Sequence, residues 1–201
     1  MNKKSPIENF LKILTGIVFF TVITVSAQEK TNLGVFNELV DSSVAEVSAF
    51  IPDSVKVIDL ELNNGPLSVF NAGVISSLSK RGYKLVNGTE KLKLAFIIDE
   101  ASTSYGEIYR DGFLGEYYVP RRIILSGDYN ITRNTVLTHS FNFAYQDTVN
   151  VDSVTSLENA AYPFTQGKLP AEPFFSGILE PVIAVGTAAL AVILFFTIRS
   201  K

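Results

Sequence analysis

The run Ile178 to Ile198 constrains this chain of 201 residues more than any other stretch. It reads Ile-Leu-Glu-Pro-Val-Ile-Ala-Val-Gly-Thr-Ala-Ala-Leu-Ala-Val-Ile-Leu-Phe-Phe-Thr-Ile, with Arg199 and Lys201 just beyond. As a helix, about 20 mostly apolar residues cross a hydrocarbon core of about 30 Å. The run is therefore expected to be a transmembrane helix, and the rest of the chain something held at a membrane. Glu180 precedes Pro181 at one end. There it can reach the interface, where a carboxylate costs less than at the bilayer centre. Ala184, Ala188 and Ala191 fall on one stripe with Thr187 beside them. Small residues let helices approach closely. The stripe is a candidate for pairing with another helix, and so for a homo-oligomer, although alanine is common in such helices anyway.

The other apolar stretch lies at the start. Lys3, Lys4 and Lys12 accompany the run Ile13 to Val25, which is too short to span comfortably. Val25-Ser26-Ala27 then supplies the small residues that a signal peptidase needs. Residues 1–27 are expected to be a signal peptide cleaved before Gln28; an uncleaved anchor is the alternative. Arg199 and Lys201 fit the positive-inside rule for a cytoplasmic tail. The expected topology is a single-pass protein with its domain in the periplasm and residues 199–201 in the cytoplasm.

Composition removes several function classes. The sequence has no Cys, which excludes disulfides, thiolate zinc sites, cysteine nucleophiles and a lipid carried on a cysteine. Setting aside Lys3, Lys4, Lys12 and Glu8 leaves 14 basic against 19 acidic residues, a net of −5. Nucleic acid needs a basic footprint, so it is not an expected partner. No glycine pattern signals a phosphate or dinucleotide cradle, and no cofactor is expected.

Residues 28–160 have the patterning of a folded domain. Asn32 is a candidate cap for a helix in which Leu33, Phe36, Val40, Val44, Val47 and Ile51 share one face. Ser54 to Leu62 is β-rich with apolar residues on both faces, the pattern of a central strand. A turn at Asn63-Asn64-Gly65-Pro66 leads into a second helix with Leu67, Phe70, Val74, Ile75 and Leu78 as its buried stripe. Gly82 is the expected left-handed cap, and Asn87-Gly88 the expected hairpin turn after strand Tyr83 to Val86. Strands are expected at Lys91 to Ser102, Arg121 to Arg133 and Val136 to Val149. In the last, Leu137, His139, Phe141, Phe143 and Tyr145 share a face. The fold class is α+β: a two-layer sandwich of an antiparallel-rich sheet with helices on one face. Residues 161–177, with Pro163, Pro170, Pro173 and four aromatic residues, are expected to be an extended tether to the 178–198 helix.

The unit Val55-Lys-Val-Ile-Asp-Leu-Glu-Leu62, a glycine turn, an amphipathic helix and Leu78-Ser-Lys-Arg-Gly-Tyr-Lys-Leu-Val86 resembles a known pattern. It is similar to the strand–helix–strand unit in exported domains of the CsgG, FlgO and TolB N-terminal group of envelope proteins. The resemblance covers roughly residues 54 to 98 and implies a binding or scaffold role in the envelope. It carries over no catalytic residue.

Candidate chemistry is sparse. His139 is the single histidine. A general base needs a nucleophile and an orienting group around it, and none can be placed from sequence. Asp59 and Glu61 share a strand face, and Asp99 and Glu100 sit on another strand. Paired carboxylates can serve acid–base chemistry, so an exported hydrolase built on Asp59, Glu61, Asp99 and His139 is the second reading. The favoured one is a membrane-anchored binding or assembly module of the bacterial envelope, not an enzyme, whose partner is another envelope protein. Its candidate contact is the loop 111–120. There Phe113, Leu114, Tyr117 and Tyr118 crowd a tip flanked by Arg110, Arg121 and Arg122. Aromatic residues and arginine dominate interface hot spots; the alternative is a loop folded back on its sheet.

Overall fold

The computed structural model describes residues 29–88, 92–112 and 115–171 together with helix 176–199, whose side chains are given for 181–197. The expected signal peptide, Phe113, Leu114, Phe174, Phe175 and Lys201 lie outside the described residues. The fold is a mixed α+β arrangement. One face of a six-stranded sheet is covered by two helices.

Helix α1 spans Asn32–Ala49. Its cap is Thr31, not Asn32: the Thr31 hydroxyl accepts the Gly34 N–H at 3.1 Å, satisfying one of the open donors of the first turn. Asn32 is instead buried inside the first turn. Val35, Phe36, Leu39, Val40, Val44 and Val47 make the buried face. Strand β1 (Val57–Leu62) leads into a 3-10 turn over Gly65–Phe70 and then α2 (Asn71–Lys80). The expected stripe of the second helix is thus divided between two elements. Phe70, Val74 and Leu78 are buried, whereas Ile75 faces out. Gly82 takes φ +89° and the Tyr83 N–H reaches back to the Leu78 carbonyl, the expected glycine-dependent cap.

Strands β2 (Lys84–Val86), β3 (Lys93–Tyr105), β4 (Tyr109–Arg110), β5 (Tyr117–Thr132) and β6 (Val136–Asn150) complete the sheet. β1 lies between β2 and β3 and runs parallel to both. β3, β5 and β6 are antiparallel neighbours, and β4 pairs with the start of β5 beyond the end of β3. Asn87-Gly88 is therefore not a hairpin turn. β2 ends opposite Asp59, and β3 begins opposite the same residue on the other side of β1. The chain must cross β1, and the Gly88 N–H donates to Asp59 Oδ1 at 3.1 Å at the crossing. Asn-Gly suits any turn needing positive φ, and Gly88 has φ +135°; the dipeptide does not fix which strands are joined.

Alternation sorts the sheet residues. Leu94, Phe96, Ile98, Ile123, Leu125, Tyr129 and Phe141 point to the helices and form the core with α1 and α2. Asp99 is the extra residue of a bulge in β3, which keeps Thr103 and Tyr105 on the helix side. Gly127 has no room for a side chain, since a Cβ there would lie 2.1 Å from the Ile97 carbonyl oxygen and 2.8 Å from the Phe141 ring. Asn64 Oδ1 accepts the Ile98 N–H at 2.7 Å, just past the point where β1 stops.

The segment after β6 departs most from expectation. A 3-10 turn (Val151–Ser153), the one-turn helix α3 (Val154–Leu157) and a 3-10 turn (Pro163–Thr165) wrap back onto the domain. Phe164 packs edge-on to Phe36 at 5.1 Å and tilted against Phe70 at 5.0 Å. Leu169 packs beside the small cluster of Tyr105, Val119, Val149, Val154 and Leu157. Residues 161–169 are thus part of the domain instead of an extended tether, because their aromatic and apolar side chains find partners there.

Helix α4 covers Ser176–Arg199, 24 residues with Pro181 inside. At 1.5 Å per residue its length is about 36 Å. Val185 is 70% exposed and Phe196 67%, and Ala184, Ala188 and Ala191 are exposed along one side. Among the described residues no helix is long and apolar enough to cross a membrane, so the transmembrane helix expected at 178–198 has no support from them.

Candidate interaction surface

Period-two geometry divides the candidate contact residues between opposite faces of the sheet. Val119, Arg121, Ile123, Leu125, Tyr129 and Ile131 form the helix-facing row of β5. Arg121 falls in that row and is 1% exposed. Arg122 falls in the opposite row and is exposed. Arg121 is accordingly withdrawn from any contact surface.

Its surroundings explain how a guanidinium can be buried. Arg121 Nε and Nη2 donate to the two carboxylate oxygens of Asp147 at 2.9 and 2.5 Å. Nη1 donates to the Lys30 carbonyl at 2.8 Å and to Asn32 Oδ1 at 2.6 Å. Asn32 Nδ2 donates onward to the Tyr105 hydroxyl at 3.0 Å and the Thr165 carbonyl at 2.7 Å. Tyr105, Arg121 and Asp147 sit side by side on one rung of three strands. Burial, the largest influence, pushes the Tyr105 hydroxyl up to about 12, so it stays protonated. No buried side-chain polar atom among the described residues lacks a partner. Such a network binds the start of α1, the sheet and the 163–165 turn together. Sequence reasoning missed it, yet the alternation from Val119 to Ile131 placed Arg121 in an apolar row, and a charge there demands a partner.

The hairpin end is built from β4 and the start of β5. Tyr109 stands opposite Tyr118, and Arg110 opposite Tyr117. The Arg110 guanidinium lies over the Tyr117 ring, 5.1 Å from its centre, and its Nε donates to the Gly115 carbonyl at 2.9 Å. The Tyr118 hydroxyl donates to Glu116 Oε2 at 3.2 Å, and Asn150 Nδ2 donates to the same oxygen at 2.7 Å. Glu116 also raises the Tyr118 hydroxyl above its ordinary value. Tyr109 is 47% exposed, while Tyr117 and Tyr118 are half-buried. Tyr109, Tyr118 and Arg122 thus border the face of the sheet away from the helices. There a shallow cleft of about 510 Å³ lies between Ser104, Pro120, Arg122, Gln146 and Thr148. Phe113 and Leu114 are outside the described residues.

The residues of the hydrolase reading do not converge. Asp59 holds the crossing loop, and Glu61 pairs with Lys93 at 2.7 Å on the surface. His139 stacks on Phe50 at 4.5 Å and on Tyr129 at 5.5 Å. It lies on β6, which β5 and β3 separate from β1, a gap of about 14 Å at the usual strand spacing. Among the described residues no group of three His, Asp or Glu side chains could hold a metal ion.

No protein-family model and no curated protein matches the sequence. Rare lipoprotein B from Shewanella oneidensis is similar at 14% identity and a TM-score of 0.34, over 71% of this chain and 97% of its own. A minor lipoprotein from Acinetobacter baumannii is similar at 18% identity and a TM-score of 0.27, over 50% of this chain and 70% of its own. A neuraminyllactose-binding hemagglutinin homolog from Helicobacter pylori gives 12% identity and a TM-score of 0.29, over 51% and 69%. Likeness at this level assigns no role, and none of the three carries the name of the CsgG, FlgO and TolB group.

Proposed function

We propose that the chain is a non-catalytic binding or assembly module of the bacterial envelope, held at the membrane by α4 with its α+β domain outside the cytoplasm. The observation that carries this is α4 itself. From Val182 to Phe196 its large apolar side chains point outward, with Val185, Leu190, Ile193 and Phe196 all at least 60% exposed. The mostly apolar run of the sequence, Ile178 to Ile198, matches a bilayer core in length. Leaving that surface in water costs roughly 1.5–3 kcal/mol per large side chain, so lipid is its natural solvent. The leader supports export, and residues 54–98 supply the resemblance to exported envelope domains.

The domain sits close to its anchor. Leu169 is packed on the domain and α4 begins at Ser176. The seven steps from Leu169 to Ser176 can span at most about 23–25 Å. The contact surface in this reading is the hairpin end with Tyr109, Tyr117, Tyr118 and Arg122. Phe113 and Leu114 join it by sequence.

Alkaline extraction of membranes from cells making the full chain tests the anchor. The protein should stay in the pellet, and a chain ending at Ala171 should leave it. A full-length chain released as a soluble, folded protein refutes the reading.

A further inference from the structure

Among the described residues, strand β6 is the outer strand on its side of the sheet. It pairs with β5 in unbroken register from Tyr118↔Asn150 to Thr132↔Val136. In an antiparallel strand the N–H and C=O of one residue point to the same side, and successive residues alternate. The Asn150 N–H donates to Glu29 Oε1 at 2.9 Å, away from β5. The even-numbered residues from Thr138 to Thr148 therefore turn their main-chain donors and acceptors away from the sheet.

Edge strands that stay unpaired are kept short, bulged, or marked with lysine or proline. From Val136 to Gln146, β6 has none of these protections. It runs for 15 residues, and Val136 to Gln146 reads Val-Leu-Thr-His-Ser-Phe-Asn-Phe-Ala-Tyr-Gln, without Asp, Glu, Lys, Arg or Pro. Its helix-facing row is also incompletely covered. Leu137 is 43% exposed, and His139, Phe143 and Tyr145 are half-buried. Phe50, stacked on His139, is exposed at the end of α1.

We propose that β6 pairs antiparallel with β6 of a second copy of this chain, joining two sheets into one. A two-fold axis through the strand maps even-numbered residues onto even-numbered ones, so outward main-chain groups meet outward groups. The same operation lays the aromatic row against itself. With the axis at Phe141, Leu137 meets Tyr145 and His139 meets Phe143, cross-strand pairs of the kind that stabilise sheets. The stretch Val136 to Gln146, without Asp, Glu, Lys or Arg, approaches its own copy without like-charge repulsion, and self-complementarity is what an isologous dimer requires. A single pair of strands is a small interface. Confinement of both copies by α4 raises their effective concentration, and in this respect the pairing rests on the proposed anchor.

The natural chain lacks cysteine, so the test uses single-cysteine full-length variants in membranes. Thr138→Cys, Ser140→Cys, Asn142→Cys, Ala144→Cys and Gln146→Cys are oxidised alone and in mixed pairs, with Ser126→Cys on β5 as control. The expected result is disulfide-linked dimers only for pairs whose residue numbers sum to one constant, an order of magnitude above the control. Adding Thr138→Lys and Ala144→Lys to the Ser140→Cys and Asn142→Cys pair should abolish the dimer without moving the melting midpoint. Absence of self-crosslinks at every pair, or crosslinks only to a different protein, overturns the proposal. A constant-sum pattern in protein that alkali has released from the membrane keeps the pairing and refutes the anchor.

Discussion

Arg121→Met replaces the guanidinium with an unbranched apolar chain of similar reach and leaves three acceptors behind. The Asp147 carboxylate loses both of its short partners, and keeps only the Tyr145 hydroxyl at 3.2 Å. The Lys30 carbonyl and Asn32 Oδ1 lose their donor. Removing one member of a buried ion pair costs about 3–5 kcal/mol. Asp147 is 26% exposed, so water recovers part of its loss, and about 3 kcal/mol is expected. For a domain of this size that is about 10 °C in melting midpoint. Arg121→Met with Asp147→Leu removes the stranded charge and should recover about half, since the Lys30 and Asn32 oxygens still lack a donor. Circular dichroism melts and urea titrations of the full chain in detergent read both values. If Arg121→Met lies within about 0.5 kcal/mol of the natural protein, as surface substitutions do, Arg121 is not the buried centre described above.

Three further outcomes follow from the packing. Phe164→Ala should destabilise the domain by about 3 kcal/mol in urea unfolding, because its ring closes the Phe36–Phe70 cluster; no change would restore residues 161–169 to a free tether. Gly127→Ala places a methyl against the Ile97 carbonyl and should cost several kcal/mol or abolish folding, read as lost near-UV dichroism; a natural melt refutes the close strand contact. Asp41, held down to about 2 first by the Arg81 hydrogen bond and then by Ser77, binds its proton more readily when unfolded. Its contribution is present above the unfolded value of about 3.9, is lost between there and about 2, and stays under about 1 kcal/mol because the carboxylate is largely exposed. Asp41→Asn should flatten the acid limb of a stability–pH profile below pH about 4 and leave its alkaline limb alone.

The fold was legible where one periodicity dominated. The face of α1, the central place of β1 and the inward row of β6 all follow from the spacing of Val, Ile, Leu and Phe. The sequence was ambiguous where a local signal serves several topologies: Asn87-Gly88 marks a turn whether the chain returns beside β2 or crosses β1. Residues 161–169 look like a linker because proline and polar residues are frequent there, and only tertiary contacts from Phe36, Phe70 and Tyr105 reveal that they are docked. The contact loop failed at Arg121 for a different reason. Clustering in sequence is not clustering in space: a strand sends neighbours such as Arg121 and Arg122 to opposite faces.

The absence of cysteine allows the topology itself to be measured. Ser102→Cys, on the sheet face away from the helices, and Ser200→Cys, after the apolar run, can each be labelled in intact cells with a maleimide too large and charged to cross the inner membrane. Labelling of Ser102→Cys is expected after permeabilising the outer membrane alone, and of Ser200→Cys only after the inner membrane is opened. Equal labelling of both positions at the first step would contradict a domain outside and a tail inside, and with it the central role given to α4.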